Sequence, residues 1–221
     1  MAFERFFRSP RIPRMEPSEF LLDGPADASL TLVLAHGAGA PMDSPFLAAV
    51  ASGVASEGFR VARFEFPYMR ARRAGGKRGA PDREPVLRQS WLEAIAHLGG
   101  GKLVAIGGKS MGGRIASMVA DEADVRGLVC LGYPFHPPGQ ANRLRTKHLE
   151  TLRTPALVVQ GTRDPFGTRE EVAQYRLSPL IRIHWLEDGH HSWKPRASSG
   201  RTEAESRAEG IAEICRFLKT V

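Results

Sequence analysis

Seven short apolar runs punctuate the chain: Phe20–Leu22, Leu30–Ala35, Arg60–Phe66, Lys102–Gly107, Gly127–Leu131, Ala156–Gln160 and Ile181–Leu186. Most are nearly continuous in Val, Leu and Ile, not alternating. Such runs predict strands of a parallel sheet covered on both faces. The stretches between them carry a helical period. Ser44-Pro45 offers an N-cap with proline at the first helical position, and Phe46, Leu47, Val50 and Val54 then recur at helical spacing. Leu87, Trp91, Ile95 and Leu98 form a second apolar stripe. A third helix is predicted from near Gly112, carrying Ile115, Met118 and Val119. Thr202-Glu203-Ala204-Glu205 reads as a capping box opening a last helix with Ile211, Ile214, Cys215 and Leu218 on one face. Strands alternating with helices predict an α/β fold with a doubly wound, mostly parallel sheet of about six to eight strands.

The chain has 221 residues, which fits one domain. Residues 1–17 carry Arg5, Arg8, Arg11 and Arg14 among three prolines and read as a basic, irregular arm. That leaves 18–221 as the folded domain. No apolar run approaches the ~18–20 residues that span a bilayer. The N-terminal stretch also lacks the apolar core of a secretory signal. A cytoplasmic protein without a membrane partner is therefore expected. Cys130 and Cys215 both fall on apolar faces and read as buried thiols in a reducing compartment. With no nearby histidine pair they make no zinc pattern, so neither a metal nor another cofactor is implied. The net charge is +7 and the isoelectric point about 9.9. The arginines behind that charge are scattered and no recognition module is visible, so no specific nucleic-acid partner is expected.

Candidate chemistry begins in the segment 102–118, an apolar strand, a glycine-rich turn and a helix. Gly108-Lys109-Ser110-Met111-Gly112 matches G-x-S-x-G there. A serine on a sharp strand-to-helix turn needs small neighbours, and the helix that follows aims its free N–H groups at a developing oxyanion. The same glycines do not make a phosphate loop, because Leu103 stands where its first glycine belongs, and no G-x-G-x-x-G occurs. A nucleophilic serine needs a base, and the base needs an orienter. Asp164 follows the run Ala156–Gln160, and His190-His191 follows Ile181–Leu186. Each thus lies beyond the carboxyl end of a predicted strand, where open α/β sheets bind ligands. The order Ser, Asp, His is the order of α/β hydrolases. The turn His36-Gly37-Ala38-Gly39 after Leu30–Ala35 offers the Ala38 N–H as one oxyanion donor, with Met111 N–H as the other. His36 reads as a brace for that turn. Lys109 is given no role.

The stretches LAHGAGAPMDSPFL, FEFPYM, GGKSMGGR, GYPFHPPG, QGTRDPFG and DGHHS cover most of residues 32–192. In them the chain resembles the α/β-hydrolase superfamily, near the dienelactone-hydrolase-like proteins. It also resembles a small group of testis-expressed and NSL-complex-associated hydrolase-like domains. The resemblance implies Ser110, Asp164 and His191 as a triad, with His191 favoured over His190 because it directly precedes a serine. Dienelactone hydrolases themselves use cysteine as nucleophile, so their substrate does not carry over to Ser110. The expected partner is a small acyl substrate held near Tyr68, Phe135, His136, Phe166 and Trp193. The segment between Leu131 and Ala156 opens on Tyr133-Pro134-Phe135-His136-Pro137-Pro138 and is too short for a helical cap, so little or no lid is expected. The competing class is a non-catalytic interaction module of the same fold. The basic arm, the high isoelectric point and relatives found in assemblies point that way.

Overall fold

The computed structural model describes residues 19–77 and 79–221; the expected arm at 1–17 lies outside the described residues. The strands are β1 (Phe20–Asp23), β2 (Thr31–Ala35), β3 (Arg60–Phe64), β4 (Val104–Lys109), β5 (Gly127–Leu131), β6 (Ala156–Gly161) and β7 (Ile181–Leu186). They form one sheet in the order β1-β3-β2-β4-β5-β6-β7. β1 runs antiparallel to β3, and every other pairing is parallel. The helices are α1 (Pro45–Ser56), α2 (Pro67–Arg73), α3 (Glu84–His97), α4 (Met111–Val119), α5 (Arg169–Val172) and α6 (Glu203–Leu218).

The unbroken apolar runs follow from burial on both sides. Leu32 and Leu34 of β2 face α1 and α6, which press Leu47, Val50, Val54, Ile214 and Leu218 onto the sheet. Val33 and Ala35 face the opposite way, toward Trp91 and Ile95 of α3 and Ile115 and Val119 of α4. Each large apolar side chain so buried contributes about 1.5–3 kcal/mol. Trp91 Nε1 also donates to the Gly112 carbonyl at 3.3 Å, fastening α3 to the start of α4.

This topology positions the site. From β2 the chain goes outward to β3, then returns across β2 to β4. The helices after β2 and β4 therefore leave toward opposite faces, and a crevice opens at the carboxyl ends of these two neighbouring strands. The β5–β6 connection holds only a short 3-10 turn, Lys147–Thr151, and no cap. It is tied to the body, since Tyr133 Oη donates to the Arg145 carbonyl at 2.9 Å and Ser117 Oγ lies 2.8 Å from His148 Nε2.

Three local details depart from the expected elements. Residues Gly101–Leu103 wind into a 3-10 turn behind the left-handed pair Gly99 and Gly100, so β4 starts late and reaches Lys109. α2 and α5 are additional short helices. Ser44 precedes α1 but makes no side-chain cap, leaving Pro45 to set the first turn. The capping box at Thr202 and Glu205 forms as expected. No described helix is long and apolar enough to cross a membrane.

Candidate active site

Ser110 sits between β4 and α4 with φ 52° and ψ −113°, a left-handed conformation that a non-glycine residue adopts only when its surroundings hold it there. The surroundings are backbone. A Cβ at Gly108 would lie 2.2 Å from the Ala35 carbonyl, and one at Gly112 would lie 2.5 Å from the same oxygen and 2.6 Å from that of His36. The turn therefore closes only with glycine at both motif positions. Met111, the first residue of α4, carries one of the N–H groups that a helix leaves unpaired in its first turn.

Asp164 lies beyond β6 and is fully buried. Its Oδ1 accepts from Phe166 N at 2.9 Å, and its Oδ2 accepts from Gln160 Nε2 at 3.0 Å and from His191 Nδ1 at 2.8 Å. Gln160 is itself fully buried and also bonds both backbone groups of Tyr133. It positions the carboxylate and was absent from the sequence-derived site. Its signal was a single polar residue inside the run Ala156–Gln160. His191 faces Asp164, while His190 is exposed. Burial holds the His191 imidazole below its ordinary value; Asp164 opposes this, and Lys109 and His190 add to it. Phe166 packs on the ring with centroids 4.3 Å apart. Among the described residues no hydrogen bond joins Ser110 Oγ to His191, whose ring bond is to Asp164. Such contacts commonly tighten only when substrate is bound.

The turn after β2 is held from three sides. His36 Nε2 accepts from Phe66 N at 3.1 Å, which puts the proton on Nδ1, and Nδ1 donates to the Gly37 carbonyl at 2.7 Å. Burial keeps His36 below its ordinary value and hence neutral. Tyr68 Oη donates to the Ala38 carbonyl at 3.0 Å, and burial pushes this phenol up to about 12. Glu65 accepts from Met42 N at 3.2 Å and pairs with Arg73, which also pairs with Asp43. Ala38 itself is exposed. The charge of Arg73 is thus used in fixing the turn. A cavity of about 310 Å³ lies alongside, lined by Gly39, Pro41, Met69, Arg72 and Arg73.

Three of the five expected pocket residues are elsewhere. Trp193 is buried beneath the histidine turn, donating from Nε1 to the Val159 carbonyl at 3.1 Å and meeting Phe46 edge-on. Its φ of 66° turns the side chain away from the crevice and into the layer of α6. Phe135 is fully buried in the opposite core, against Tyr133 and Tyr175. His136 is buried too, with Nδ1 donating to the Pro137 carbonyl at 2.8 Å and Nε2 3.4 Å from Glu171. Tyr68 and Phe166 remain partly exposed near the crevice. Both cysteine thiols are buried and pushed up by burial, Cys215 to about 11.

Comparison with known proteins agrees with this architecture. An α/β-hydrolase serine hydrolase homologue from Coxiella burnetii superposes with a TM-score of 0.65 at 19% identity, over 90% of this chain and 94% of that one. An α/β serine hydrolase from Xanthomonas campestris described as having no lid gives 0.61 at 18%, over 90% and 88%. An esterase domain from Rhodothermus marinus gives 0.61 at 16%, over 89% and 90%. At such identities the likeness speaks for the fold. The family model for the α/β hydrolase domain matches residues 28–219, and with that match over nearly the whole chain the protein belongs to the α/β hydrolase family.

Proposed function

We propose that the protein is a serine hydrolase that cleaves small acyl esters or thioesters through an acyl-enzyme. The observation that carries this reading is the conjunction of Ser110 on a strained elbow with the 2.8 Å hydrogen bond from His191 to the buried Asp164, all at the carboxyl edge of one sheet. Asp164 accepts a hydrogen bond from Nδ1–H and so holds the proton on Nδ1, which leaves Nε2 the lone pair that a general base needs.

In the proposed reaction Ser110 Oγ attacks the substrate carbonyl carbon and His191 Nε2 takes the hydroxyl proton. The carbonyl oxygen becomes an oxyanion, met by the N–H groups of Met111 and Ala38. When the tetrahedral intermediate collapses, the bond to the leaving group breaks and His191 returns its proton to that group. Water then attacks the Ser110 ester, gives one proton to His191 and releases the carboxylic acid as the proton goes back to Oγ. The exposed backbone of the Ala38 turn supports access from solvent. Serine at the nucleophile position supports a substrate class distinct from that of the cysteine-dependent dienelactone hydrolases.

The test is a fluorophosphonate probe read by intact-mass spectrometry. One adduct is expected on the wild type and none on Ser110→Ala. A folded wild type that takes no adduct would favour the interaction-module reading. A panel of acyl esters and thioesters then separates those two leaving groups.

A further inference from the structure

We infer that Lys109 is a positioning residue for this chemistry, clamping the histidine turn to the elbow and setting a second charge beside the Asp164–His191 pair. The inference rests on the reading of Ser110 as nucleophile and His191 as base.

Lys109 is the last residue of β4 and directly precedes Ser110. Its stem passes beneath the turn after β2, where a Cβ on Gly37 would lie 3.6 Å from Lys109 Cγ. Its end reaches across the mouth of β5 and donates from Nζ to the His191 carbonyl at 2.5 Å. Gly132 makes room for that crossing. A Cβ there would stand 2.9 Å from Lys109 Nζ, 2.8 Å from the His191 carbonyl oxygen and 3.3 Å from His191 Nδ1. Phe46 closes the far side, with Nζ 5.4 Å from its ring centroid. One side chain therefore runs from the elbow past the Gly37 turn to the histidine turn.

Packing alone does not call for lysine in this place. Amines are rarely buried without a paired carboxylate, because removing the charge from water is costly. Lys109 makes no ion pair among the described residues, and an unbranched apolar side chain would fill the same path without a charge. What only a donor supplies is the bond to His191 O. Asp164 fixes one edge of the imidazole, and Lys109 fixes the backbone of the same residue, so the ring cannot swing as the turn moves.

The charge has its own effect. His191 is faced by Asp164, which favours its protonated form, and by Lys109 and His190, which disfavour it. Lys109 is faced by Asp164, while burial pushes the amine down to about 7. Below that value Lys109 is charged, so the acid limb of the reaction reports His191 beside an ammonium. Removing the ammonium raises the basicity of His191 and moves the acid limb to higher pH.

The experiment follows the rate of fluorophosphonate labelling against pH for wild type, Lys109→Met and Lys109→Gln. Lys109→Met is expected to slow labelling by about tenfold or more and to move the acid limb upward. Lys109→Gln keeps a donor without the charge. It should recover much of the plateau rate and retain the displaced limb. If wild type labels but both variants give superimposable profiles, or lose rate with the limb unmoved, the positioning role falls and the serine-hydrolase reading stands. A wild type that never labels overturns both. Should neither variant fold, nuclear magnetic resonance on the wild type decides. Lys109 side-chain carbons should titrate near neutrality, with the His191 ring signals inflecting at the same pH. A Lys109 that titrates like free lysine, with no response at His191, overturns the inference.

Discussion

His36 and His191 occupy equivalent places, each in a turn beyond a strand's carboxyl end, His36 fully buried and His191 partly so, and burial holds each below its ordinary pKa. In both, Nδ1 donates to an oxygen: the Gly37 carbonyl for His36 and the Asp164 carboxylate for His191. They part at the other nitrogen. Phe66 N–H occupies the Nε2 lone pair of His36, whereas that of His191 has no hydrogen-bond partner among the described residues. A neutral imidazole with both nitrogens engaged is a brace. One with a free lone pair and a carboxylate behind it is equipped to take a proton. His36 already reads as a brace in the sequence; the second hydrogen bond gives the physical reason.

The largest expected effect breaks the His191 side of the comparison. His191→Ala should lower kcat by about ten-thousand-fold, as for removal of a triad base, while His190→Ala leaves most activity because that ring faces solvent. Steady-state kinetics on a p-nitrophenyl ester would check this. The reverse ranking would mean that the exposed ring turns inward with substrate bound.

Next in size is the anchor beneath His191. Trp193→Ala should cost about 3–5 kcal/mol of stability, as truncations of buried aromatics do. It removes both the packing on Phe46 and the bond to the Val159 carbonyl. Chemical denaturation would measure it, and a loss below about 1 kcal/mol would show that the side chain is not packed as described. A residue two places from His191 invites a site assignment, and this one belongs to the core.

That example marks where sequence was informative. β5 has the bounds its apolar run indicates, because a strand buried on both faces leaves no polar residue to blur its ends, and β7 keeps its bounds although it is an edge strand carrying Arg182 and His184. Ser110, Asp164 and His191 were visible because each lies within a few residues of the carboxyl end of an apolar run. α2 was not visible, since it buries only Met69 and its arginines give no apolar period. Trp193 and Phe135 were misread for a related reason: aromatic residues near a site motif look like pocket walls until backbone direction is known. Gln160 and Lys109 were missed because a polar residue at the end of a strand declares its partner only in three dimensions.

Protonation offers a test of the histidines held neutral by burial, His36 and His191 together with His148. Their folded-state pKa values lie below 6.5, so between the folded and unfolded values the unfolded chain binds more protons. Stability is therefore fully present above the unfolded value and is lost as pH falls below it. Thermal unfolding followed from about pH 8 to pH 5 should show Tm falling on the acid side, as for groups buried neutral. A flat or rising Tm there would mean that the imidazoles are charged in the folded protein.

The Tyr68 contact tests the brace side more gently. Tyr68→Phe removes the bond from Oη to the Ala38 carbonyl but leaves the ring in place. The turn should loosen without collapsing, since His36 and Glu65 still hold it. Loss of one such bond is worth about 0.5–1.5 kcal/mol, so kcat should fall by up to about tenfold with KM little changed. A change confined to KM would put Tyr68 against the substrate and not behind the turn.

The smallest increments concern the acyl chain, and they follow from what the crevice lacks. The β5–β6 connection carries no cap, and its Pro-rich start turns Phe135 and His136 into the body of the protein. Trp193 is turned inward as well. Of the aromatic groups expected at the mouth only Tyr68 and Phe166 stay partly exposed, and Phe166 is already packed on His191. The adjoining cavity is bounded partly by Arg72 and Arg73, which suits a polar end better than a long hydrocarbon tail. Each methylene adds about 0.8 kcal/mol, or roughly fourfold, only while it is taken out of water. kcat/KM across p-nitrophenyl esters should therefore peak at about C2 to C6 and then level or decline, because further methylenes stay hydrated. No rise in rate is expected as substrate passes into micelles, since no cap has to open. Preference for a twelve-carbon chain, or activation at an interface, would require about as much additional buried apolar area as a lid supplies; tail length at the rate maximum thus measures how open the site is.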